Sequence, residues 1–266
     1  MVTMTKNNEI TVFLSSEDLF LFAANDFEKR AIAAVNNKGM FSVVLAGGST
    51  PKLFFDMLTG VESYKDTIPW QRIQFFFGDE RYVSSDDINS NYHMAQEHLF
   101  SKVPVNPENI YRIPTEYKDP NDAAINYEKK LREVFHIKDN AFPQFDLVYL
   151  GLGDNAHTAS LMPLSDLVKN YVENPLPEKN NRLVASLFVS ELNMQRITLT
   201  PTAINHGLNI IFLVTGANKA TALWEVLEGQ TDPLHYPAQL IHCRDKKTIW
   251  YLDQAAAAKL HITGNQ

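Results

Sequence analysis

Phe145–Leu150, FDLVYL, runs directly into Gly151–Pro163, GLGDNAHTASLMP. Six almost wholly apolar residues ahead of a glycine-rich turn predict a strand covered on both faces, as in a parallel sheet, rather than one facing water. In open α/β sheets ligands bind beyond the carboxyl ends of the strands, so the turn puts His157 where chemistry is expected. An ordinary imidazole is largely unprotonated near neutral pH and can accept a proton without special tuning.

Outward from this stretch, strand-like runs at Ile10–Leu14, Phe41–Ala46, Ile73–Phe77, Leu183–Val189, Arg196–Thr200, Leu208–Val214 and Thr248–Leu252 alternate with helical patterns. The helical patterns lie at Glu17–Val35, Pro51–Leu58, Asn91–Phe100, Asn121–Phe135, Lys219–Leu227 and Gln254–Leu260, and Gly39 suits a left-handed cap to the first of them. Alternation of this kind forces parallel strands joined by crossover helices. The expected fold is α/β, with a mostly parallel, doubly wound, Rossmann-like sheet flanked by helices. It leaves room for a small extra lobe, and residues 1–266 are read as a single domain. The weakly patterned stretch Pro163–Arg182 reads as a surface loop in preference to a lid.

Composition narrows the function. The 266 residues are 45% hydrophobic and 21% charged, enough for a large core. A net charge of −7 argues against nucleic-acid or anionic-membrane surfaces, while leaving room for a locally basic pocket. A lone Cys243 fits a reducing compartment. Neither an apolar signal core nor a run of roughly 20 apolar residues is present, so the expected location is cytoplasmic. The sequence carries no signal for an oligomeric state.

Three further strand ends carry candidate chemistry. Gly47-Gly48-Ser49-Thr50 precedes a helix expected to begin at Pro51; glycines permit close approach and the free amides of a helix start favour phosphate. The plainer reading is a tight turn with Thr50 as N-cap. The loop lacks the lysine of a Walker loop, and Ser49 is not in a nucleophile elbow. Gly78-Asp79-Glu80-Arg81 follows the apolar IQFFF, either as a solvated strand end or as groups aimed into the crevice, and Asn89, Asn91 and Tyr92 beyond it read as helix-capping residues. Lys219, in the first turn of a helix, opposes the macrodipole by several tenths of a kcal/mol, a penalty that an anionic ligand reverses. Arg196, at the head of RITLT, is a weaker cationic candidate. Together the strand ends describe a small-anion site with a base.

The same motifs, in this order over nearly the whole chain, resemble the 6-phosphogluconolactonases, within the larger group that includes glucosamine-6-phosphate deaminases. They are Gly47–Pro51, Trp70 followed by FFFGDERYV and SNYHMA, FDLVYLGLG with HTASLMP, RITLT with LVTGANKA, and YPAQLI with WYLDQAAA. The resemblance implies hydrolysis of the δ-lactone of 6-phosphogluconate, in the oxidative pentose phosphate pathway, without metal or organic cofactor. It implies His157 as general base, with Asp79 beside it as a less certain catalytic group. Gly47, Gly48, Ser49, Thr50, Arg81 and Lys219 are then expected to hold the phosphate and sugar, with Arg196 and Asn155 completing the substrate site.

One departure bears on the base. Family members usually read Gly-x-Gly-x-Asp-Gly-His-Thr, whereas residues 155 and 156 here are Asn155 and Ala156. An asparagine can orient an imidazole but cannot stabilise the imidazolium by charge, so lower activity is expected unless Asp154 supplies the charge or the family aspartate serves mainly to shape the turn. Ala156 disfavours a positive φ, so an altered turn is expected.

Competing readings are weaker. GLGDNA fits a dinucleotide fingerprint, but no strand ending in an acidic residue follows about 20 positions later. His93, His98, His136, His206, His235, His242 and His261 show no metal-ligand spacing and read as structural or surface groups. An amino-sugar-phosphate isomerase or deaminase shares the scaffold, but GDER and HTASLMP favour the lactonase. A non-catalytic sugar-phosphate sensor is expected to carry a helix-turn-helix segment, and the first strand begins too near the start for one.

Overall fold

The computed structural model describes residues 2–5, 7–138, 141–174 and 182–261. The strands are β1 (Val2–Met4), β2 (Asn8–Phe13), β3 (Phe41–Leu45), β4 (Ile73–Phe77), β5 (Asp79–Arg81), β6 (Ile110–Tyr111), β7 (Leu147–Leu150), β8 (Val184–Val189), β9 (Met194–Leu199), β10 (Ile210–Val214) and β11 (Thr248–Asp253). The helices are α1 (Ser16–Lys38), α2 (Ser49–Gly60), α3 (Glu62–Thr67), α4 (Asn91–Ala95), α5 (Pro120–Val134), α6 (Asp166–Glu173), α7 (Pro201–Asn205) and α8 (Ala220–Leu227).

Eight strands form one sheet in the order β1-β2-β11-β10-β7-β3-β4-β6, parallel throughout except for the antiparallel β1–β2 edge. Every residue of β3, β7 and β10 is buried, as continuous apolar runs between two helical layers require. Local signals fix the helix ends. Ser15 and Asp18 form a capping box on α1, and Gly39, at φ 85°, closes it by donating its N–H to Val35 O.

The sheet departs from the parallel pattern at Gly78. Its N–H donates to Leu45 O in the main sheet, while its carbonyl accepts from Leu199 N–H in a second sheet. That sheet, β5-β9-β8, is antiparallel, because β8 and β9 are joined by the short turn Ser190–Asn193 and not by a crossover helix. The expected α/β sheet is thus present, and the small addition to it is this three-stranded layer.

Other differences have local causes. The expected helix at Gln254–Leu260 is a series of turns: Asp253 Oδ1 accepts Ala256 N–H at 2.7 Å and Leu260 N–H closes back on Ala257, so the alanine run coils without continuing. Within the stretch expected to be a loop from Pro163, α6 forms with Ser165 as N-cap; residues 175–181 of that stretch lie outside the described residues. The helix begun at Asn91 passes into a π turn over Gln96–Phe100. Among the described residues no helix is long and apolar enough to cross a membrane.

Candidate active site

One cleft lies across the carboxyl ends of β3, β4 and β7 and the face of the small sheet. Gly47, Gly48, Ser49 and Thr50 form one wall, Gly151–Asp154 and His157–Ala159 another, and Asp79, Arg81, Arg196 and Lys219 close it. All the expected site residues therefore converge except Asn155, which is not on the wall but behind the histidine.

The histidine turn is held by its own backbone. Gly153 N–H donates to His157 O at 2.7 Å, Thr158 Oγ1 donates to Gly151 O at 2.8 Å, and Ala156 O accepts from Ala238 N–H. A Cβ at residue 153 would overlap the His157 ring, so glycine is required there for the imidazole to lie against the turn. Ala156 adopts a positive φ of 63° despite its side chain, and Ala159 and Leu164 are also left-handed, at 47° and 59°. Such conformations cost an alanine roughly 1–2 kcal/mol each, strain that the surrounding bonds hold in place.

Asn155 Oδ1 accepts from the His157 backbone N–H at 3.2 Å and lies 2.6 Å from His157 Nδ1. The backbone bond identifies that atom as oxygen, so Nδ1 of the neutral ring carries the proton and Nε2 is the free base. Burial lowers His157 below the ordinary imidazole value of 6.5; Arg196 and Lys219 lower it further, whereas Asp79 and, less strongly, Asp154 oppose the shift. The ring is thus kept neutral, with Asp79 the leading charge favouring its protonated form.

Asp79 is itself held from three sides. Ser160 Oγ donates to its Oδ2 at 2.6 Å, Asn91 Nδ2 approaches Oδ1 at 3.2 Å, and Arg196 Nη1 stands 3.5 Å from Oδ2. Glu80, by contrast, is buried in a structural role. It accepts N–H bonds from Arg81, Asn91 and Tyr92 and the Ser90 hydroxyl, capping α4, and burial raises its pKa. Of the charges in GDER, therefore, Asp79 and Arg81 enter the cleft and Glu80 supports them from below.

Arg81 and Arg196 are directly opposed across β5 and β9. Like charges at such a position repel. Among the described residues the Nε atoms of both are buried without a partner. Lys219 ends the 3-10 turn Ala217–Lys219 at the start of α8 and has no ion-pair partner among the described residues. Across from these cations, α2 starts at Ser49, directly after the glycine pair and earlier than the expected Pro51; Thr50 is not its cap. Gly48, at φ 102°, is the N-cap and offers no side-chain bond, so the first-turn amides are left for a ligand. Thr50 instead shares a hydrogen bond with Thr215, tying this loop to the one that carries Lys219.

Sequence reasoning missed Ser160 and placed Asn91 only as a cap. No pattern marked Ser160, since a serine inside HTASLMP is unremarkable until Asp79 is seen beside it. The turn after β7 opens no helix before α6, so the dinucleotide reading lacks the helix start a pyrophosphate needs. Among the described residues no group of three His, Cys, Asp or Glu side chains stands together as a metal site.

Residues 14–250 match the family model described as glucosamine-6-phosphate isomerases/6-phosphogluconolactonase. The chain is 34% identical over 252 residues to a 6-phosphogluconolactonase of Synechocystis, covering 95% of this chain and 98% of that one. It is 36% identical over 229 residues to one of Nostoc, covering 86% and 88%. The solved 6-phosphogluconolactonase of Trypanosoma cruzi superposes with a TM-score of 0.81 at 27% identity, covering 97% of this chain and 99% of that one.

Proposed function

The chain belongs to the glucosamine-6-phosphate isomerase/6-phosphogluconolactonase family, and from that premise we propose that it hydrolyses 6-phosphoglucono-δ-lactone with His157 as general base. The observation that carries this reading is a neutral imidazole, its Nε2 free, facing three cations and an open helix start in one cleft. His157 Nε2 takes a proton from water as the water oxygen bonds to the lactone carbonyl carbon. The tetrahedral intermediate then expels the ring oxygen, and the imidazolium returns its proton to that leaving oxygen. Asp79 supplies the negative charge that Asn155 cannot, so the imidazolium is stabilised from across the cleft and not from behind the ring.

The phosphate is held by the Gly48–Thr50 helix start and Lys219, with Arg81 and Arg196 gripping the sugar acid and neutralising charge. Binding energy at the phosphate, remote from the carbonyl, positions the lactone for attack. The place of the reaction is the oxidative pentose phosphate pathway in the cytoplasm, a reading consistent with the buried free thiol of Cys243.

The test is release of acid from freshly generated 6-phosphogluconolactone by wild type and His157→Ala, each against spontaneous hydrolysis. Wild type above background and the variant near it are the expected results; three equal rates overturn the reading. Turnover of glucosamine 6-phosphate instead would assign the deaminase activity of the wider family.

A further inference from the structure

Among the described residues, three of the four buried side-chain polar atoms without a partner belong to residues of the cleft: Arg81 Nε, Arg196 Nε and Asn91 Oδ1. The first two belong to the arginines that oppose each other across β5 and β9, whose Nη1 atoms are bonded elsewhere. Asn91 Oδ1 is an acceptor, and the surrounding geometry explains it differently. The Asn91 side chain is 2% exposed and its Nδ2 donates to Asp79 O at 2.9 Å as well as approaching Asp79 Oδ1, which fixes which end of the carboxamide is oxygen. Its other end lies against Gly47, where any Cβ would overlap the carboxamide. A single amide group is therefore wedged between the loop that opens α2 and the carboxylate that faces His157. Its own backbone is pinned by Glu80 Oε1 at 2.6 Å, so the wedge cannot drift.

We propose that Asn91 is a positioning residue that sets the spacing between the Gly47–Thr50 loop and Asp79, so that occupation of the phosphate end and alignment of the reacting end are coupled. The inference rests on the phosphate-lactone reading of the cleft. A glycine at position 47 is then required by Asn91 and not by the ligand, a distinction that can be measured.

The experiment is a cycle of Gly47→Ala, Asn91→Ala and the double variant, with Asn91→Asp beside it, each assayed for kcat and KM and for melting temperature. Gly47→Ala alone is expected to raise KM at least tenfold, because the new methyl must displace the carboxamide or the loop. In the Asn91→Ala background the methyl has room, so the double variant is expected to match Asn91→Ala. Asn91→Asp keeps the wedge against Gly47 but sets a second carboxylate against Asp79; kcat is expected to fall about tenfold with KM nearly unchanged. Additive KM effects in the cycle, or wild-type kcat in Asn91→Asp, would overturn the proposal, and the second arm decides it if Gly47→Ala fails to fold. Inorganic phosphate, read as the shift in melting temperature, follows the same cycle without turnover. A wild-type protein inert toward the lactone would thus sink the functional reading, while the phosphate shifts would still decide the coupling.

Discussion

Just before β7, Asp146 Oδ2 accepts the Ser42 N–H at 2.7 Å and the Ser42 hydroxyl at 2.8 Å, and Lys38 lies 2.8 Å from its other oxygen. Just after β7, at the other end of the same four-residue strand, the chain turns through left-handed alanines toward a cleft where two arginines face each other with unpartnered nitrogens. The amino end spends its buried polar groups on one another, tying β7 to β3. The carboxyl end leaves two arginine Nε atoms and one amide oxygen without a partner among the described residues. The contrast teaches that the two ends can be damaged independently: one in stability, the other in chemistry.

The sharpest break is His157→Ala, expected to lower kcat/KM by about 10²–10⁴-fold while leaving urea unfolding almost unchanged. Its counterpart, Asp146→Ala, removes a buried carboxylate that accepts two bonds and is expected to lose about 2–3 kcal/mol in urea unfolding, with kcat/KM per folded molecule preserved. A large loss of activity there would mean the ends are mechanically linked. Lys219→Ala sharpens the chemical end alone, raising KM by about 10–100-fold, as a lost charge-assisted bond of about 1.5–3 kcal/mol implies.

Smaller still is the effect of pH. Because folding holds His157 below 6.5, the acid limb of kcat/KM is expected below that value. Asp79→Asn removes the opposing charge and should move the limb lower, whereas Lys219→Ala should move it higher; opposite shifts would reverse the assignment of charges. Linkage carries the same sign. The unfolded imidazole takes a proton that the folded one resists, so this contribution to stability is present above the ordinary imidazole value and is lost as pH falls from there to the lower folded value. The least change is expected from Ala156→Gly. Relief of roughly 1–2 kcal/mol of backbone strain is offset by a lost buried methyl, about 0.8 kcal/mol, and by about 0.4–1 kcal/mol of added chain entropy. Calorimetry should show the melting stability altered by no more than about 1 kcal/mol.

What could be read from the sequence divides along the same line. Ile73–Phe77 matches its strand at both ends because a continuous apolar run has few other fates, and Gly39 announces the end of α1 by its backbone freedom. Strand β5 is Asp79-Glu80-Arg81, three charges that argue against burial until their partners arrive from Asn91, Ser160 and β9. Those partners are remote in sequence, so the pairing is invisible to local pattern. His157, Lys219 and the glycine loop were legible since each sits at the end of an apolar run; Ser160 and the wedge role of Asn91 depend on tertiary approach. The alanines after Asp253 advertise a helix, and a carboxylate shared between Ala256 and Gly216 overrides them.

Gly78 has a temporal consequence. Its carbonyl waits for Leu199 N–H, and Arg81 for its neighbour Arg196, so the half of the cleft that belongs to the small sheet closes only after most of the chain is available to fold. Contacts of such long sequence separation form late and slowly. The histidine turn waits longer still, because Ala156 O accepts from Ala238 N–H, and Lys219 also follows Arg196 in the chain, so the competence to grip an anion is among the last properties the folding chain acquires.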